Sequence, residues 1–319
     1  MILTVTPNPS LDRTYEVPGL ARGEVLRAAG ERMDPGGKGV NVSRALAAAG
    51  HRTVAVLPLG GAPGALVAEL LAAQGIEVAG VPVAGHTRSN IALAEPDATL
   101  TKINAPGPEL TPAESEALLA AVAARAATAG WIACCGSLPR GLAPEWYAEL
   151  VTRAHGHGAR IALDTSGPAL PAALAARPDV VKPNADELAA AVGRPLVTVG
   201  DAVRAAGELR AAGAGAVLAS LGADGQLLVS ADGTHYGYAE VPAGAVRSNV
   251  GAGDASLAGF LAAGGTGPAA LAAAVAHGAA AVRLPGSAMP APRDLDPSAV
   301  TVTTDVPLGR ELSEQGSPR

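Results

Sequence analysis

Residues 251–254, Gly-Ala-Gly-Asp, put two glycines, a small residue and a carboxylate into one turn. Glycines around an alanine leave backbone N–H groups free to point into a common hollow. A helix starting there adds its positive dipole end to the pull on an anion. Asp254 then falls in the first helical turn, beside the anion. A carboxylate next to developing phosphate charge is costly unless it takes up a proton there. The plainer reading is a glycine turn with Asp254 as an early-turn helix stabiliser. Residues 255–263 are apolar at helical spacing and support the helix itself.

A second glycine cluster, Pro35-Gly36-Gly37-Lys38-Gly39-Val40-Asn41, precedes another apolar-periodic stretch. Backbone amides and one ammonium converge at a helix N-terminus, an arrangement suited to an anion or a polyol. The spacing differs from a Walker A loop and from the dinucleotide fingerprint G-x-G-x-x-G. Asn41 can reach a sugar hydroxyl or serve as a local cap. Asp12, in Asn8-Pro-Ser-Leu-Asp12, leaves the first strand where ligands of a parallel sheet gather, although turn chemistry among prolines explains it equally. Asn184 with Glu187 three residues on, after Lys182-Pro183, fits a capping box. At a strand's C-terminal end the same Glu187 could order water around a Mg²⁺ carried by a nucleotide. Ser220-Leu-Gly222-Ala-Asp-Gly225 is a turn that permits close backbone approach, of a common type. Arg88 is a solvated surface group or a cation that closes over a phosphorylated substrate.

These pieces need a frame. The chain has 319 residues, rich in Ala, Gly, Val and Leu, with one Phe, four Tyr and two Trp, so its core is aliphatic. Net charge is −6, which leaves no electrostatic footprint for nucleic acid. No apolar run has the length of a membrane span and no signal peptide opens the sequence, so a cytoplasmic protein is expected. Cys134 and Cys135 are adjacent on an apolar run and point to opposite faces, as buried thiols in a reducing compartment. Short β-rich runs (Ile2–Thr6, Thr53–Leu57, Trp131–Cys135, Arg160–Asp164, Val180–Lys182, Ala216–Ser220) alternate with Ala/Leu-rich helical stretches. That rhythm predicts right-handed βαβ units around a parallel sheet. Segments 11–33 and 78–104 break it with short alternating runs, predicting a small separate sheet able to cover a site as a lid. Gln226–Glu240 reads as a hairpin around Asp232-Gly233. One domain is expected over 1–302, with a flexible tail at 303–319.

The order and spacing of these motifs resemble the ribokinase-like sugar kinases of the phosphofructokinase B type, over nearly the whole chain. The pairing of Gly36-Gly37-Lys38-Gly39-Val40-Asn41 with Val250-Gly-Ala-Gly-Asp254 carries the resemblance. Asn8-Pro-Ser-Leu-Asp12, Asn104-Ala-Pro-Gly-Pro108 and Gly136-Ser-Leu-Pro139 are similar to the branch acting on phosphosugars. The resemblance implies a three-layer α/β/α body with a small β-sheet lid that also forms a homodimer contact. It implies ATP with Mg²⁺, and transfer to the 6-hydroxyl of fructose 1-phosphate. Tagatose 6-phosphate or fructose 6-phosphate kinase is the alternative, and a non-catalytic sugar-phosphate-binding regulator a more distant one. By position, Asp254 becomes the base and Gly251, Ala252 and Gly253 the anion hole. Asp12, Gly37, Lys38, Asn41, Arg88 and Ser137 hold the sugar phosphate. Lys182, Asn184, Glu187, Ser220, Gly222 and Gly225 lie on the nucleotide side. Many members carry Asp-Thr just before the Gly-Ala-Gly-Asp run, tied to a monovalent cation. Here Ser248-Asn249 stands there, which leaves that requirement open.

Overall fold

The computed structural model describes residues 1–97 and 99–313. The first third of the chain forms β1 (Ile2–Val5), β2 (Ser10–Glu16), β3 (Gly30–Gly36), α1 (Lys38–Ala48), β4 (Thr53–Leu59), α2 (Gly61–Ala73), β5 (Glu77–Pro82), β6 (Arg88–Ala94) and β7 (Leu100–Ile103). The middle forms α3 (Pro112–Ala126), β8 (Trp131–Cys135), α4 (Trp146–His155), β9 (Arg160–Asp164), α5 (Ala169–Leu174), β10 (Val180–Val181), α6 (Ala185–Val192) and α7 (Val199–Ala211). The remainder forms β11 (Ala216–Ser220), β12 (Gln226–Ser230), β13 (Gly233–Ala239), α8 (Ala252–Ala262), α9 (Gly267–Ala281) and β14 (Val300–Thr303).

The large sheet runs β14-β13-β12-β11-β10-β9-β8-β1-β4-β5. It is parallel from β11 to β5 and antiparallel across β12, β13 and β14. Alternate side chains of each strand enter cores on opposite faces. Leu3 and Cys134 pack with Leu118 of α3, Leu150 of α4 and Leu209 of α7. Ile2 and Cys135 pack with Leu46 of α1, Phe260 of α8 and Leu271 of α9. The result is a three-layer α/β/α body whose aliphatic strands are covered on both faces. After β1 the chain builds outward through β4 and β5, then returns to build the other way from β8. The order therefore reverses beside β1, where α/β sheets open a crevice at the C-terminal ends of their strands.

The small sheet runs β3-β2-β6-β7. Its strands match the alternating runs around 11–33 and 88–104, with one correction. Residues 77–82 form β5 and pair in parallel with β4 at the edge of the large sheet. Alternation alone does not say which sheet an edge strand joins. β3 also runs on to Gly36 and passes directly into α1 through Gly37, so the glycine loop is the end of a small-sheet strand.

The expected flexible tail needs a second correction. β14 pairs with β13 through Thr303, and Val306 and Leu312 pack against the body. Arg310 O and Leu308 O accept from Val199 N and Gly200 N, and Leu312 N donates to Val197 O. Alternating Val300 and Val302, then two isolated apolar anchors, suffice to dock this stretch. Residues 314–319 of the expected tail lie outside the described residues.

Candidate active site

Gly251 caps α8 in the left-handed region (φ 78°, ψ −1°), and a Cβ there would come within 2.7 Å of Met289 Cε. Among the described residues no side chain caps this N-terminus, so the amides of Ala252 and Gly253 remain available to an anion. Asp254 sits in that first turn, 7% exposed. Its Oδ2 accepts a hydrogen bond from Asn41 Nδ2 at 2.9 Å. Burial, reinforced by the charge of Asp164, pushes the Asp254 carboxyl up to about 6, against the pull of Asn41, Lys182 and Lys38. A carboxyl tuned this way is a serviceable base near neutral pH.

Asp164 ends β9 and is fully buried. Lys38 Nζ donates to its Oδ1 at 2.7 Å, and Lys182 Nζ lies 2.9 Å from its Oδ2. Burial pushes the Asp164 carboxyl up, but Lys182 and Lys38 outweigh it and hold it below the ordinary carboxylate range. The Lys182 ammonium lies close to the first turn of α8, since a Cβ at Gly253 would be 3.2 Å from it. Lys38 also donates to Glu187 Oε1 at 3.0 Å. Its two carboxylate partners keep Lys38 charged against the cost of burial. Asp164 thus holds two ammonium groups in fixed places beside the uncapped N-terminus of α8.

Asn184 and Glu187 form the capping box of α6: Glu187 N donates to Asn184 Oδ1 at 2.8 Å, and Asn184 N to Glu187 Oε2 at 2.9 Å. Asn184 also bridges to Ser220 at the end of β11. Gly222 (φ 62°) opens the turn that follows, and a Cβ at Gly225 (φ 93°) would meet Gly237 O at 2.5 Å. Asp224 of that turn is buried. It accepts from Ser313 N at 2.6 Å and pairs with Arg310 at 3.1 Å.

On the other side, Asp12 Oδ1 accepts from Ser10 Oγ at 2.6 Å and from Asn90 Nδ2 at 2.9 Å. Gly36 lies flush against this carboxylate, where a Cβ would overlap it. Gly37 (φ 116°) lies against Thr6, whose Cγ2 would be 2.7 Å from a Cβ. Arg88 donates to Ala105 O at 2.9 Å and to Asn8 O at 3.0 Å. It ties two loops together, and its buried Nε has no partner among the described residues. Ser137 is exposed in the loop after β8, with only a long contact from Asn8 Nδ2 at 3.5 Å.

The sequence motifs therefore converge on the C-terminal edge of the large sheet. Lys38, expected on the sugar phosphate, reaches Asp164 and Glu187. Asp164 was not anticipated. Its one signal is an acid closing a strand that ends at the ligand edge of a parallel sheet. Arg44, one helical turn after Asn41, was missed as well.

The model of the pfkB family carbohydrate kinases matches residues 7–294. The chain belongs to this family. A 1-phosphofructokinase of Rhodobacter capsulatus is 45% identical over 262 residues, covering 82% of each chain. An ATP-dependent 6-phosphofructokinase isozyme 2 of Mycobacterium tuberculosis is 36% identical, covering 81% of this chain and 76% of its own. The crystal structure of Escherichia coli phosphofructokinase-2 in complex with potassium superposes with a TM-score of 0.87 at 33% identity, over 92% of this chain and 96% of that one. As a pfkB carbohydrate kinase, the protein is a phosphotransferase with an alcohol group as acceptor. Among the described residues no helix is long and apolar enough to cross a membrane.

Proposed function

We propose that this pfkB kinase phosphorylates fructose 1-phosphate at its 6-hydroxyl, giving fructose 1,6-bisphosphate and ADP. The observation that carries the chemistry is Asp254, a buried carboxyl raised to about 6 in the first turn of α8, beside free amides and Lys182. Asp254 takes the hydroxyl proton as that oxygen attacks the γ-phosphorus and the bond to the ADP oxygen breaks in line. The amides of residues 251–253 and the Lys182 ammonium offset charge on the moving group. Asp12, Gly37 and Asn41 hold the sugar, with Arg88 and Ser137 shaping the loops around it. Asn184, Glu187, Ser220, Gly222 and Gly225 line the nucleotide side. The small sheet excludes water as a lid.

The substrate choice draws on the 45% identical 1-phosphofructokinase. The same pocket can present C1 of fructose 6-phosphate or tagatose 6-phosphate if the sugar binds end for end. ADP release measured side by side with all three sugar phosphates decides. A preference for either 6-phosphate overturns the substrate and leaves the kinase intact, whereas release with none of them overturns the reading.

Oxygen donors at Glu187 and Asp164 suit a hard cation. Both carboxylates already bear on Lys38, so Glu187 would hold a Mg²⁺ carried by ATP through water rather than directly. When bound, it neutralises phosphate charge. Exposed Asn249 offers a neutral amide in place of a carboxylate, and turnover measured with potassium exchanged for tetramethylammonium decides whether a monovalent cation is required. A homodimer through the small sheet and a cytoplasmic site of action complete the proposal, supported by apolar side chains exposed on the small sheet and by two free buried cysteines.

A further inference from the structure

Arg44 lies on α1 one turn after Asn41, with its side chain only 9% exposed. Arginine is seldom buried this far without a specific use. Its Nε donates to Gln74 Oε1 at 3.1 Å, and its Nη1 reaches Asn41 Oδ1 at 3.3 Å and Ser287 Oγ at 3.5 Å. Its Nη2 lies 3.7 Å from Asp34 Oδ1 on β3. The mechanism above makes no use of Arg44.

The amide of Asn41 has two ends of nearly equal shape and opposite hydrogen-bonding sense. One end faces Asp254, the other Arg44. A guanidinium carries donors only, so the end facing it must be the oxygen. The NH₂ then faces Asp254, where only an acceptor oxygen satisfies it. The reversed amide would set NH₂ against guanidinium, donor against donor, and would turn Oδ1 toward Asp254. That arrangement is satisfied only if Asp254 keeps a proton, and a protonated Asp254 cannot serve as a base. Burial and Asp164 already favour the protonated form, so the two arrangements compete.

We infer that Arg44 is a positioning residue that fixes the orientation of the Asn41 amide and thereby holds Asp254 as an ionised, correctly aimed base. The inference rests on Asp254 acting as the base. Other groups bearing on Asp254 are Asp164 of β9, Lys182 after β10 and Lys38 of α1, with Cys135 of β8 near enough to feel its charge. Among the described residues, only Arg44 donates to the Asn41 carbonyl.

The test is a double-mutant cycle on steady-state kinetics. Arg44→Met keeps the aliphatic stem and removes the donors. Arg44→Met is expected to lower kcat about ten-fold, the loss of one oriented hydrogen bond, with KM values within about two-fold of wild type, and Asn41→Ala to lower kcat by a similar factor while also raising KM for the sugar phosphate. The double variant is expected to be no slower than Asn41→Ala alone, because without the amide Arg44 has nothing to orient. Wild-type kcat in Arg44→Met, or losses that multiply in the double variant, would overturn the inference. Arg44→Lys, with a donor-only head, is expected to recover part of the lost kcat. If Arg44→Met does not fold, the same cycle is run with Arg44→Leu, which also removes the donors. Asp254→Asn measured alongside separates the two claims: full turnover there sinks the base assignment itself. Lost turnover there with full turnover in Arg44→Met sinks only the role of Arg44.

Discussion

On the body side of the crevice, the charged groups reach one another before any ligand is considered. Asp164 holds Lys38 and Lys182, Glu187 is shared between Lys38 and the α6 cap, and Asn41 holds Asp254. The small sheet is built differently. Its inner face carries Asp12, held by Ser10 and Asn90 and pressed against Gly36. On and beside its outer face Val25 is 82% exposed and Ile103 58%, with Leu20 and Met33 also uncovered. The body is complete as a folded unit and preorganised for charge, while the small sheet leaves apolar area that a second copy would cover. On the proposed function, the general base falls to the first region, and the homodimer contact to the second.

The comparison breaks most sharply at Asp254. Asp254→Asn is expected to lower kcat by about 100-fold or more while KM for ATP changes little, as loss of a general base implies. Near-normal turnover would show that the body's preorganised charge is not catalytic. On the small sheet, Asp12→Ala is expected to raise KM for the sugar phosphate about ten-fold, the scale of one lost charged hydrogen bond, and to spare KM for ATP. A change in the ATP constant instead would erase the division between the two regions. The paired change Val25→Asp with Ile103→Asp is expected to convert dimers to monomers in sedimentation velocity without unfolding the body. Unaltered sedimentation would refute the covered-face assignment.

The smallest effect concerns stability, and its sign follows from the titration. In the fold the Asp254 carboxyl is raised to about 6 from an ordinary 3.8. The stability its proton contributes is complete below about 4 and is lost as pH rises through 6. At pH 8 the fold therefore carries an ionised group it would hold more comfortably neutral. Asp254→Asn removes that cost, so Tm is expected to rise by roughly 2–4 °C at pH 8, and the gain to vanish toward pH 4. The same titration makes kcat fall as pH drops below about 6. A variant less stable than wild type at pH 8 would argue that Asp254 is not strained in the fold.

What could be read without coordinates was what is local. The glycine turn at 251–254, the Asn184–Glu187 box and the βαβ rhythm each depend on residues a few positions apart. Their chemistry follows from spacing. Asp164 escaped because its meaning comes from Lys38, 126 positions away in the chain, and from Lys182 on the neighbouring strand. The partners of Lys38 were hidden for the same reason: a lysine in a glycine loop does not announce which carboxylate it will meet. Residues 77–82 alternate as any edge strand does, and only pairing with β4 shows their sheet. The docking of 304–313 rests on a few backbone hydrogen bonds and two apolar anchors, too sparse a pattern to stand out from a loose tail.

That docked stretch has a consequence for how the protein is made. The turn at 221–225 is braced through Asp224 by Ser313, which emerges from the ribosome 89 residues after it, and by Arg310. A nascent chain arrested between those points already contains Asp12, Lys38, Asn41, Asp164 and, once past α8, Asp254. It still lacks the brace on one wall of its crevice. Translation order thus makes the bracing of the 221–225 turn one of the later events in maturation, since a chain cut short before residue 310 lacks both of these contacts to Asp224.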